Sequence, residues 1–242
     1  MNKQLILEKV EKLYQLFEDR AFPITHKHEV NPGLPLGSNE NFIYFTLPVS
    51  INYQRSSPAM WQAALKTYED QTTRYLFNPH EVTKRSIETV RDGLLKHKLG
   101  LQPNKHTSTW YSLSQTFSKL YPNGPQEFFA KHDWDVLKII PALRKTEKKS
   151  FPNLGGAKLS HYWLYILHNF TNAQFKKLSA ISIIPDTHVL QASVVLGLTS
   201  EADTPDIVAE KWYELLEGSR FSPIDLHPVL WNWSRNNFSP AV

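Results

Sequence analysis

Apolar residues recur at three- and four-residue spacing along almost the whole chain, and this period limits most strongly what it can fold into. Leu5, Val10, Leu13, Leu16 and Phe17 share one face of a helix expected over 3–20. Met60, Trp61, Ala64, Leu65 and Tyr68 do the same over 58–76, where Pro58 follows Ser56-Ser57 as a first-turn residue. The same pattern predicts helices over 79–98, 104–121, 125–131, 133–145, 157–170, 186–198, 204–217 and 223–236. The apolar stretch from Asn41 to Tyr53 fits a buried helix or a strand, and its helical surroundings favour helix. Asn123-Gly124 follows a helical stretch and precedes Pro125, so it is not a strand-to-strand turn. No repeat of fixed period is visible. The fold class is therefore all-α.

With 242 residues, 41% of them hydrophobic, the chain can bury a large core in one domain or in two packed lobes. No apolar run approaches the roughly 18 residues of a membrane span. The N-terminus reads as a helix and not as a signal peptide. A cytoplasmic location is expected, with nucleoid association in a bacterium or archaeon. There is no cysteine, which excludes disulfides, thiolate nucleophiles, zinc–thiolate sites and cysteine-held iron–sulfur clusters. A net charge of +4 permits nucleic-acid binding without requiring it. His26 and His28 share a proline- and glycine-rich connector over 21–38, yet no third ligand accompanies them. No His-Glu-x-x-His, Gly-x-Ser-x-Gly or phosphate-loop pattern is present, so neither metal nor cofactor is expected.

The stretch Phe151-Pro152-Asn153-Leu154-Gly155-Gly156-Ala157-Lys158 joins two predicted helices. Its glycines allow positive φ or a close backbone approach. The helix beginning near Ala157 would aim free N–H groups and its positive dipole end at the hairpin, a geometry suited to a phosphate. Arg144, Lys145, Lys148 and Lys149 lie just upstream and would add phosphate contacts. Taken alone, the stretch also fits a plain helix–helix turn with a glycine cap. Farther on, Ile183-Ile184-Pro185-Asp186-Thr187-His188-Val189 sets a carboxylate at the mouth of another helix, which by itself reads as an N-cap.

Together the two stretches resemble the helix-hairpin-helix DNA glycosylase superfamily, that of endonuclease III and the 8-oxoguanine glycosylases. Phe151-Pro152 and Gly156-Ala157-Lys158 match its Leu-Pro-Gly-x-Gly-x-Lys-like hairpin with one extra residue between them, and Pro185-Asp186-Thr187-His188-Val189 matches its Val-Asp-Thr-His-like segment. Upstream, Ser50–Ser57 falls where endonuclease III-like proteins carry Ser-Ala-Gln-Ala-Thr-Asp, and Lys98-Leu99-Gly100-Leu101 with Lys105 resembles their Gly-Leu-x-x-x-Lys segment. The resemblance covers roughly residues 40–200. The interval from lysine to aspartate is longer than in endonuclease III and is similar to that of archaeal 8-oxoguanine glycosylases. The extra hairpin residue leaves Lys158 and Ala157 both as candidates for the catalytic slot, and Ala157 there would make the enzyme monofunctional or inactive.

The resemblance implies two helical lobes flanking a cleft, with 36–180 forming one lobe and 1–35 plus 181–242 the other. It implies a monomeric DNA glycosylase with AP lyase activity that acts on double-stranded DNA bearing a damaged base, 8-oxoguanine first because of the hairpin length. A monofunctional alkylated-base glycosylase and a non-catalytic helix-hairpin-helix DNA-binding protein remain the competing readings. Lys158 would be the nucleophile, a role that needs the neutral amine and so favours partial burial. Asp186 would stabilise the cationic sugar. Gly155, Gly156, Asn153, Lys148 and Lys149 would hold the DNA backbone. Gln54, with Asn52 and Tyr53 as alternates, would fill the hole left by a flipped base. His161, Trp231 and Trp233 are base-pocket candidates, followed by Trp163, Tyr165, His227 and Asp225, while His188 is expected to brace its own helix.

Overall fold

The computed structural model describes residues 3–23 and 29–242; His26 and His28 lie outside them. Among the described residues there are twelve α-helices, three short 3-10 turns and no strand. The helices are α1 (Lys3–Glu18), α2 (Asn39–Tyr44), α3 (Ser57–Glu69), α4 (Pro79–Thr83), α5 (Ile87–Lys96), α6 (Pro103–Lys119), α7 (Pro125–Lys131), α8 (Val136–Arg144), α9 (Ala157–Phe170), α10 (Thr187–Val195), α11 (Pro205–Leu216) and α12 (Pro223–Arg235). The all-α reading is correct. No helix among these residues is long and apolar enough to cross a membrane, and no group of three or more metal-ligating side chains occurs among them.

Proline and small polar caps start most of these helices. α3, α4, α6, α7, α11 and α12 each carry proline in the first turn, where its missing N–H is no loss. Ser86 separates α4 from α5 by capping the Thr89 N–H, which divides the helix expected over 79–98. The helix expected over Asn41–Tyr53 stops at Tyr44. Pro48 cannot donate into a helical ladder there, and a 3-10 turn over Pro48–Ile51 follows. α8 begins at Val136 because Asp135 caps it and the preceding Asp133 and Trp134 adopt left-handed φ of 57°.

The chain divides into two compact units: a central unit, Lys27–Lys176, and a terminal unit combining Met1–His26 with Lys177–Val242. The central unit is built on aromatic residues. Its buried indoles all find acceptors: Trp61 donates to the Tyr162 hydroxyl, Trp110 to the Leu76 carbonyl and Trp163 to the Thr46 hydroxyl, each at 2.9 Å. In the terminal unit, Ile6, Val10 and Leu13 of α1 join the cores of α10, α11 and α12 around Trp212 and Trp233. The Trp212 indole donates to the Ser193 hydroxyl at 2.8 Å.

Candidate functional site

The Gly-Gly hairpin hangs from the aromatic core of the central unit. Phe151 is 1% exposed, and its ring lies 4.3 Å from Phe128 and 5.8 Å from Trp163, centroid to centroid. The turn leading into it is tied down as well. Thr116 donates to the Ser150 carbonyl at 2.6 Å, and Glu147 accepts from Tyr121 and Lys131. Burial opposes the Glu147 charge, but these two donors outweigh it and hold the carboxyl below its usual range.

Of the two uses the sequence suggested for the glycines, close approach is found and positive φ is not. Neither has positive φ; that conformation falls to Asn153, at +65°. Gly155 serves close approach. A Cβ there would stand 2.2 Å from the Leu143 carbonyl oxygen, so any side chain would push the hairpin off the end of α8. Gly156 is the N-cap of α9 and offers no side-chain acceptor. The first helical bond runs from the Ser160 N–H to the Gly156 carbonyl, so the amides of Ala157, Lys158 and Leu159 precede the ladder. Gly156, Ala157 and Lys158 are exposed. Lys158 thus projects from the first turn of an uncapped helix, and the partial burial expected for it is not found. Arg144, Lys145, Lys148 and Lys149 are exposed beside it along the chain.

His161 lies one turn beyond Lys158. Burial, and then the nearby Arg144 guanidinium, push its imidazole down to about 4. Arg144 reaches its Nε2 at 3.3 Å, so a neutral ring accepts there.

Two further segments meet the hairpin within the central unit. The Asn153 amide donates to the Ser50 carbonyl at 3.1 Å and to the Thr109 hydroxyl at 3.2 Å. Beyond Ser50, Asn52 is 7% exposed and donates to Ser57, whereas Gln54 is exposed at left-handed φ of 52°. Gln54 is therefore the outward tip of this loop, and Asn52 is part of its base. Arg55 donates to the carbonyls of Lys98 and Leu99, and Gln102 to the Gln54 side chain at 3.4 Å. His106, 1% exposed, accepts the Leu101 N–H at 3.1 Å and meets the Tyr53 ring edge-on at 5.1 Å. Burial, then Arg55 and Lys105, lower its imidazole to about 4. Leu101 itself is 51% exposed, next to the partner of Gln54. Leu101 and Arg55 entered the sequence reading only as members of matched stretches, without a role of their own, and His106 did not enter it. An exposed leucine after Gly100 was the available signal for the first, but the other two act through backbone carbonyls and amides that no motif marks.

In the terminal unit, Asp186 caps α10. Its Oδ1 accepts from the N–H groups of His188 and Val189, both at 3.0 Å, which leaves Oδ2 outside the cap. His188 braces the helix as expected: its Nδ1 pairs with the Ser234 hydroxyl at 3.1 Å, and its ring lies 5.2 Å from Trp231. Trp231 is half-buried, with the Arg235 guanidinium 5.4 Å from its ring centre. The structure thus links Trp231 to the start of α10. Trp233, two positions on, faces the core instead: it is 2% exposed, donates to the Pro240 carbonyl and has no face open to a base. Trp163 is likewise fully buried, and the Asp225 carboxylate is taken up in the capping box of α12.

No family model matches the sequence, and no curated protein matches it significantly. Among solved structures, it is similar to a trapped endonuclease III–DNA covalent intermediate in an estranged-adenine complex. That match has a TM-score of 0.60 and 16% identity, and covers 96% of this chain and 86% of the other. The chain shares the fold of endonuclease III. In that fold it places a hairpin with an uncapped helix start and a basic approach in one unit, and a carboxylate-capped helix in the other.

Proposed function

We propose that this protein is a DNA base-excision glycosylase with AP lyase activity, and that its substrate is an oxidised base in duplex DNA, 8-oxoguanine foremost. The observation that carries the reading is Lys158 on the first turn of α9, where no side chain caps the helix, in a chain with the endonuclease III fold. Outward amides and a positive helix end suit a DNA phosphate, and Gly155, Gly156 and the lysines at 148 and 149 flank that point. The damaged nucleotide must leave the stack, at a cost of about a few kcal/mol. Gln54, with exposed Leu101 beside it, is suited to prop the gap.

In the reaction, the neutral Lys158 amine bonds to C1′ and the glycosidic bond breaks, its electron pair leaving with the base. Ring opening gives a Schiff base between Lys158 and the sugar. Loss of a C2′ proton then expels the 3′ phosphate and nicks the strand. Asp186 opposes the positive charge that develops on the sugar, a role for which Oδ2 is left outside the cap. Trp231 and the neutral His161 are the remaining base-pocket candidates. A single chain suffices for this chemistry.

The exposure of Lys158 favours a second reading, in which it holds a phosphate and the enzyme is monofunctional. Borohydride trapping separates the two. On an 8-oxoguanine duplex and on an abasic duplex, the wild type should form a covalent adduct that Lys158→Gln abolishes. Base release without adduct would support the monofunctional reading, and DNA binding without either would leave a binding module.

A further inference from the structure

The hairpin and the Gln54 loop are far apart in sequence, and one side chain spans them. Asn153 and Ser50 are 103 residues apart, and the Asn153 amide joins them. Its nitrogen has two hydrogens, which serve the Ser50 carbonyl and the Thr109 hydroxyl. No amide donor is left for a DNA phosphate. A turn that merely needed left-handed φ would be served at least as well by glycine. The bond to Ser50 therefore ties the hairpin to the base of the Gln54 loop, and the bond to Thr109 in α6 holds the amide in place for it.

We infer that Asn153 is a positioning residue, which locks the phosphate-binding hairpin to the loop that carries Gln54. This rests on the glycosylase reading for its meaning in DNA, though not for the link itself. With the link intact, the hairpin's hold on the backbone fixes where Gln54 enters the duplex. Without it, the hairpin still binds phosphate, but the loop no longer follows.

Asn153→Gly separates these roles, because glycine keeps the left-handed turn and removes both bonds. The variant should bind an 8-oxoguanine duplex within about threefold of wild type, since phosphate contacts remain. Single-turnover excision should fall about 10- to 100-fold, the scale of a small misplacement. Fluorescence of 2-aminopurine beside the lesion, which reports unstacking, should rise less than with wild type. In the free protein, amide hydrogen exchange over 50–55 should quicken. Thr109→Val, which removes one of the two bonds, should shift each readout the same way by less. Wild-type excision with unchanged exchange at 50–55 would overturn the inference. So would a large loss of affinity with normal unstacking, which would make Asn153 a direct DNA contact. If the wild-type protein neither binds DNA nor excises a base, the functional reading fails. Exchange at 50–55 then decides the link by itself, faster exchange upholding it and unchanged exchange removing it.

Discussion

α9 and α10 each begin at a candidate functional residue, yet their first turns are opposites. α10 is closed by its own Asp186, whose Oδ1 takes two of the free amides. α9 starts at Gly156 and closes none of them. A helix end neutralised by a built-in carboxylate has little left for an anion, whereas an open one keeps its donors and its dipole for a ligand. The two starts thus differ as tools: one presents a carboxylate, and the other keeps its donors open to an anion.

The contrast can be tested by breaking each end. The largest effect should come from Lys158→Gln, which is expected to abolish the borohydride adduct and lower strand nicking by about a thousandfold or more. Asp186→Asn keeps a good N-cap, so thermal unfolding should hardly move while excision falls about a hundredfold or more. Asp186→Ala should in addition cost about 1 kcal/mol of stability, seen as a lower unfolding midpoint. An equal loss of stability in both variants would show that the carboxylate charge, and not the cap, holds α10.

Gly156→Asp sharpens the comparison by giving α9 the cap that α10 has. Its Cβ would lie 3.1 Å from the Asn153 carbonyl oxygen, a contact that needs a small adjustment. Duplex affinity should fall about tenfold and the salt dependence of binding should weaken, read by fluorescence anisotropy across salt. Unchanged binding would mean that the open end of α9 does not meet DNA.

The smallest effect concerns pH. His161 and His106 are both held near 4 in the folded protein, below the usual histidine value, by burial first. The unfolded chain therefore takes up protons before the folded one does. Their contribution to stability is complete above about pH 6.5 and is lost as pH falls toward 4. Denaturation from pH 7.5 to 4 should show this slope, and His106→Gln should flatten it.

Much of the helical framework was legible from local chemistry. α7 and α9 occupy the spans read from the sequence, because Pro125 and Gly156 mark their starts. The run around Pro48 was misread, since its apolar content hid a proline that ends the helix. The hairpin and Asp186 stood out as motifs, but not the reason for each residue. That Gly155 is required by the Leu143 carbonyl, and that Asn153 takes the left-handed position, depends on how α8 meets the hairpin. Long-range links such as Arg55 to Lys98 and Leu99 leave no periodic trace. The two tryptophans of α12 are a partial exception. Residues two apart on a helix point to different sides, so Trp231 and Trp233 could not both have faced one pocket.

Phe151 has a consequence for time as well as place. With its ring packed among Phe128, Trp163 and Phe117, the hairpin is held in shape by the core beneath it. On the glycosylase reading, the encounter then needs no ordering step on this side. Its rate is set by diffusion and by the attraction between the basic approach and the DNA, so it should slow with added salt while remaining a single phase.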